Sequence, residues 1–156
     1  MIKVGFIGAG DISLLHSEGV HSSENAVLTG IWNRTRKKAE EKSGLFNCRV
    51  FDQVEDLIKA VDVVYVLTNM ETHHQYARQA IDAGKHVLVE KPTAVTIEEI
   101  EDLKKAAKAQ GVQVAPVHNY IYEPSVTRAK DLIESGKIGD LASLYVLYPI
   151  HHPESV

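Results

Sequence analysis

Gly5-Phe6-Ile7-Gly8-Ala9-Gly10-Asp11-Ile12-Ser13 is the stretch whose reading decides the fold. Apolar, β-branched residues from Ile2 lead into it, and a helical pattern leads out of it. Gly8 suits a tight strand-to-helix turn, and Gly10, lacking a side chain, lets another molecule approach the backbone. Ser13 stands where the pattern G-x-G-x-x-G/A wants its last small residue, and it is small enough for close helix–strand packing. A helix that starts here presents unpaired N–H groups and the positive end of its dipole, which suits an anion such as a dinucleotide pyrophosphate. Because glycines also mark ordinary turns, the rest of the chain decides between the two readings.

Working outward, strand patterns recur at Ile2–Gly8, Ala26–Asn33, Cys48–Phe51, Val61–Thr68, His86–Glu90 and Val112–His118. The run Val61-Asp62-Val63-Val64-Tyr65-Val66-Leu67 carries apolar residues at alternate positions of both parities, as a strand covered by helices on both sides requires. Helical segments lie between the strands. Thr72 is placed to cap a helix ending at Ala83 before Gly84, and Thr96 with Glu99 forms a capping box for a helix ending near Gln110 before Gly111. Pro124 opens another that stops at Gly136. Alternation through six strands predicts an α/β fold, a Rossmann-type doubly wound parallel sheet with right-handed crossovers.

Composition limits the partners. The net charge of −4 arises from 17 basic and 21 acidic residues spread along the 156-residue chain, with no basic run to neutralise nucleic acid phosphates. No membrane-spanning stretch is present in the sequence, and the start of the chain reads as core rather than as a signal peptide. Cys48 is the single cysteine, which makes a reducing, cytoplasmic location the expectation. The adjacent pairs His73-His74 and His151-His152 point their side chains apart on a helix or strand, so no metal site is expected.

The second strand ends at Trp32-Asn33-Arg34-Thr35-Arg36, about 20 residues beyond the fingerprint, where an NAD-binding chain usually carries an acid for the ribose hydroxyls. Asn33 does not repel a phosphate, and Arg34 with Thr35 and Arg36 suits a 2′-phosphate. NADP is therefore expected in preference to NAD, and Asn33→Asp is expected to move the preference toward NAD. The competing reading makes these arginines a solvated helix start.

Two later segments carry a family resemblance: Val64-Tyr65-Val66-Leu67-Thr68-Asn69-Met70-Glu71-Thr72-His73 and Ala83-Gly84-Lys85-His86-Val87-Leu88-Val89-Glu90-Lys91-Pro92. With the fingerprint, they resemble the Gfo/Idh/MocA oxidoreductases, which include glucose–fructose oxidoreductase and inositol dehydrogenase. The resemblance implies that Gly8, Ala9, Gly10, Asp11 and Ile12 meet the pyrophosphate, that Thr68, Asn69 and His73 lie near the cofactor, and that Glu90 meets the nicotinamide ribose. It makes Lys91 the catalytic residue, facing both cofactor and substrate, with a Lys91–Pro92 bond that is often cis in the family. Asn69 departs from the usual proline, and the usual arginine after the sixth strand is absent from His118-Asn119-Tyr120-Ile121-Tyr122-Glu123-Pro124.

The residues themselves point the same way, since Thr68, Glu90 and His118 end three parallel strands, where open α/β sheets bind ligands. A lysine there can hydrogen-bond a hydroxyl or carbonyl oxygen as acid or base. Without the motif, Glu90 and Lys91 read equally as a surface ion pair. His118, Asn119 and Tyr122 are the remaining candidates for a substrate pocket, against strand capping or packing.

Residues 1–120 are expected to form the dinucleotide-binding domain, and residues 121–156 a connecting helix and the first strand, Leu141–Ile150, of a second α/β domain. The expected function is hydride transfer between NADP or NAD and a small sugar, polyol or related hydroxy compound, in a protein that forms a homo-oligomer at full length. The alternatives are an NAD-dependent glycosidase of the same family and a non-catalytic NAD(P)-binding module. Half of a cleft holds substrate poorly and excludes little water, so the chain alone is expected to bind cofactor without substantial turnover.

Overall fold

A computed structural model of the chain describes residues 1–147. Six strands, β1 (Ile2–Ile7), β2 (Ala26–Trp32), β3 (Arg49–Val50), β4 (Val63–Val66), β5 (His86–Val89) and β6 (Val114–Pro116), form one sheet in the order β3-β2-β1-β4-β5-β6. All five pairings are parallel. The expected doubly wound sheet is therefore present, with the order reversing between β1 and β4. The strands are shorter than the apolar runs that announced them, because their last residues turn out of the ladder to form the loops that carry the site.

Two buried clusters sandwich the sheet. Val4, Phe6, Leu28 and Ile31 from β1 and β2 pack with Val20, Ala39 and Phe46 from α1 (Ile12–His21) and α2 (Arg36–Phe46). On the opposite face, Ile7, Val64, Val66, Val87 and Val89 pack with Leu57, Ala77, Ile81 and Leu103 from α3 (Val54–Ala60), α4 (His73–Asp82) and α5 (Ile97–Gln110). The alternation within Val63–Val66 is thus the physical trace of two helical layers.

The capping box at Thr96 forms, in a shifted version: Thr96 Oγ1 accepts from the Glu99 N–H at 3.2 Å, while the Glu99 carboxylate accepts from the N–H of Val95. Gly111 ends that helix at a φ of 68°. Thr72 is a correction. It closes a 3-10 turn (Met70–Thr72) at the residue before α4, and its hydroxyl donates to Asn69 O and is hydrogen-bonded to the Thr68 hydroxyl rather than capping α4 with its side chain.

Contacts divide the chain into a unit of Met1–Val117 and a unit of His118–Val156. In the second, a 3-10 turn (Asn119–Tyr122) precedes α6 (Pro124–Glu134), with Pro124 in the first turn as expected. The strand expected at Leu141–Ile150 is not formed over residues 141–147, and its remaining residues lie outside those described, as does the His151-His152 pair. An isolated strand has no ladder to satisfy its N–H and C=O groups, so β-rich composition alone does not make one.

Candidate functional site

The mouth between the carboxyl ends of β1 and β4 is built from backbone. Gly8 sits at a φ of 117°, and a Cβ there would lie 2.6 Å from the carbonyl carbon and oxygen of Leu67. Only glycine fits. Gly10 presents the opposite case: a Cβ there would meet nothing within 4 Å, so no neighbour in the protein demands a glycine. The space beside it is open to a molecule that approaches the loop.

Above Gly10, the N–H groups of Gly10 and Asp11 have no partner among the described residues, and Ile12 opens α1 with its own N–H unpaired by the helix. Three adjacent amides at the positive end of a helix thus face an open space that a side chain would fill. The arrangement fits a pyrophosphate. Ser13 is fully buried and donates its hydroxyl to Gly10 O at 2.6 Å, which pins the loop and accounts for serine at the last fingerprint position. Ala9 lines the same cleft, with its N–H already engaged, donating to Asn33 Oδ1 at 3.1 Å.

Asn33 therefore joins two loops. Its Nδ2 donates to Thr35 O at 2.9 Å while its Oδ1 holds the fingerprint. An aspartate would keep the acceptor and lose the donor, setting a carboxylate oxygen against the Thr35 carbonyl. Gly8, Ala9, Gly10, Asn33, Arg34, Thr35, Lys38, Thr68, Asn69, Thr72 and Tyr76 are among the residues that line one cleft of about 190 Å³. Arg34 and Lys38 have no ion-pair partner among the described residues. Arg36, expected to help hold a 2′-phosphate, instead pairs with Glu40 and Asp52, facing away from that role. Lys38 replaces it. Reading α2 as starting at Arg36 puts Lys38 on its first turn, a signal already present in the sequence.

At the far side of the sheet, Glu90 follows β5 and is only 6% exposed. Its Oε1 accepts from His16 Nε2 at 2.8 Å, and its Oε2 accepts from the Lys91 N–H at 2.9 Å. Each oxygen thus has one partner within the protein and keeps a second lone pair for a further donor. The Lys91–Pro92 bond is cis, as the resemblance implies, and the Lys91 side chain is exposed with no ion-pair partner among the described residues. His73 is buried and is not among the residues that line the cleft. Its Nδ1 lies 2.8 Å from Pro92 O and its Nε2 2.8 Å from Thr68 O, so it bridges the loops that follow β4 and β5. His16, on α1, escaped the sequence reading. A lone histidine one turn past a fingerprint carries no motif of its own.

Thr68 and Asn69 stand at the rim of the cleft, as expected of residues ending β4. His118, Asn119 and Tyr122 belong to the second unit, where all three are exposed.

Residues 2–118 match the family described as "Oxidoreductase family, NAD-binding Rossmann fold", GFO_IDH_MocA. The chain is 34% identical over 146 residues to glucose-6-phosphate 3-dehydrogenase of Bacillus subtilis strain 168, covering 94% of this chain and 42% of that protein. It is 31% identical to the scyllo-inositol 2-dehydrogenase (NADP(+)) IolW of the same organism, covering 98% of this chain and 43% of the relative. A crystal structure of GenD2, from gentamicin A biosynthesis, in complex with NAD superposes with a TM-score of 0.82 at 28% identity, covering 87% of this chain and 40% of that one. The chain thus spans less than half the length of these relatives. Fingerprint, strand order, cleft and relatives agree, and the chain belongs to the Gfo/Idh/MocA oxidoreductase family, contributing its NAD-binding Rossmann domain.

Proposed function

We propose that this chain binds NADPH in preference to NADH across the carboxyl edge of its sheet, and serves an enzyme that moves hydride between that cofactor and a sugar, polyol or related hydroxy compound. The observation that carries the reading is the cradle at Gly10, where free amides border a space kept open by an absent Cβ. Gly10, Asp11 and Ile12 would hold the pyrophosphate, and Arg34 with Lys38 would meet the 2′-phosphate. The dinucleotide, when bound, supplies the hydride acceptor or donor.

Lys91 is proposed to hold or deliver the proton that accompanies hydride transfer at the substrate hydroxyl, because its exposed ammonium leaves a loop tied down on both sides. His118, Asn119 and Tyr122 are carried forward as substrate contacts, residues 1–120 and 121–156 as the two domains, and a homo-oligomeric, cytoplasmic enzyme as the full protein. The relatives that act on glucose 6-phosphate and scyllo-inositol support the substrate class. No helix among the described residues is long and apolar enough to cross a membrane.

Fluorescence titration with NADPH and NADH tests the reading. At least tenfold tighter NADPH binding is expected, equivalent to about 1.4 kcal/mol. Equal affinities would remove the proposed preference, and no binding of either by folded protein would remove the cofactor role. Asn33→Asp is a mixed test, since it adds negative charge and also breaks the bond to Thr35 O.

A further inference from the structure

We infer that His16 is a positioning residue for Lys91, acting through the buried carboxylate of Glu90. The inference rests on the role proposed for Lys91. A carboxylate that is 6% exposed is costly to keep unless its oxygens are hydrogen-bonded, and here both are taken by groups of the protein itself. One oxygen is bound to the helix that follows the fingerprint and the other to the backbone N–H of Lys91.

The ring of His16 is itself held. It meets Phe6 edge-on with centroids 6.4 Å apart and Tyr65 edge-on at 5.6 Å, so aromatic neighbours from β1 and β4 fix the direction of Nε2. From the other side, His73 Nδ1 lies 2.8 Å from the carbonyl oxygen of Pro92, the residue after Lys91. Carbonyl oxygens only accept, so a ring with a proton on each nitrogen makes both the Pro92 and Thr68 bonds, while a neutral ring makes one. Lys91 therefore leaves a backbone anchored immediately before and after it, and its own ammonium keeps no partner among the described residues.

His16 lines neither the cleft nor the amide cradle. What it does is connect them to the lysine: α1 offers its first amides to the proposed pyrophosphate and, one turn on, His16 sets the backbone of Lys91 through Glu90. A group that aims a reacting side chain earns its effect through geometry, since small misplacements cost large factors in rate.

Hydrogen exchange of the Lys91 amide, read by NMR on the whole chain, tests this without any cofactor. His16→Phe keeps a ring between Phe6 and Tyr65 but removes the donor, and the Lys91 amide is expected to exchange about tenfold faster or more, the scale of a lost hydrogen bond to a charged group. His16→Gln, which restores an N–H donor, is expected to recover protection. If His16→Phe fails to fold, His16→Asn, whose amide is too short to reach Glu90, takes its place. Unchanged exchange at Lys91 would overturn the inference, and so would a uniform rise across α1 and β5, because that marks a packing role. A parallel NADPH titration of wild-type protein separates the two ideas: absent binding strikes the proposed function while the exchange result stands.

Discussion

The two ends of the site are built on opposite plans. At the β5 end, Glu90 and His73 are buried, each polar atom of their side chains has a partner, and only the Lys91 ammonium reaches out. At the β2 end, Arg34 and Lys38 are exposed and unpaired among the described residues, standing over a turn that a single amide, Asn33, holds in shape. The contrast teaches which part of recognition is geometry and which is charge. On the proposed reading, a reacting lysine needs a fixed place, and its surroundings are tied by hydrogen bonds; a 2′-phosphate needs only positive charge within reach, and the residues proposed to read it are exposed.

The largest test of this contrast lies between the two ends. Gly8→Ala forces a Cβ into the Leu67 carbonyl at a φ that L side chains rarely adopt, and a loss of about 3 kcal/mol or more in folding stability is expected by chemical denaturation. A wild-type midpoint would show that the β1–β4 mouth can widen. Next, Arg34→Ala removes a charge-assisted contact worth about 1.5–3 kcal/mol, so NADPH affinity should fall roughly tenfold to a hundredfold while NADH affinity holds. Equal losses for both cofactors would place Arg34 away from the 2′-phosphate.

Gly10→Ala sharpens the comparison by separating fold from ligand. The methyl meets nothing in the protein, so stability should hold or rise by about 0.4–1 kcal/mol, while dinucleotide affinity drops by about 1–3 kcal/mol as the methyl crowds the cradle. Retained affinity in calorimetry would break the reading of the three amides. The smallest effect is expected far from either end, where Asp102 on α5 accepts from His74 and Arg78 on α4, contacts that hold its carboxyl below the usual carboxylate range. A depressed folded pKa gives stability that is present above the unfolded value and lost as pH falls through the folded one, so Asp102→Asn should flatten the acid limb of the melting profile slightly and leave neutral pH nearly unchanged.

Much of this architecture was legible before any coordinates, for reasons that differ by residue. Periodicity reports burial, so the six strands and the helices between them could be read from which faces are apolar. Gly8 was legible because its backbone conformation excludes other residues. The contacts of His73 to Pro92 O and Thr68 O, which bridge two loops, were not legible, because sequence spacing says nothing about which way a ring faces. His16 and the pairing of Arg36 with Asp52 were illegible for a related reason: both depend on contacts between segments remote in the chain. Residues 141–147, expected to begin a strand, form none among the described residues, and composition does not reveal whether a strand has a neighbour to pair with.

The contact of Gly8 with the Leu67 carbonyl has a consequence for how such a domain diversifies. Since main chain rests on main chain at that seam, no exchange of side chains can retune the spacing of the two central strands. Room to alter what the domain accepts therefore lies at the rims, in turns such as 33–35 and 68–72, rather than at the seam.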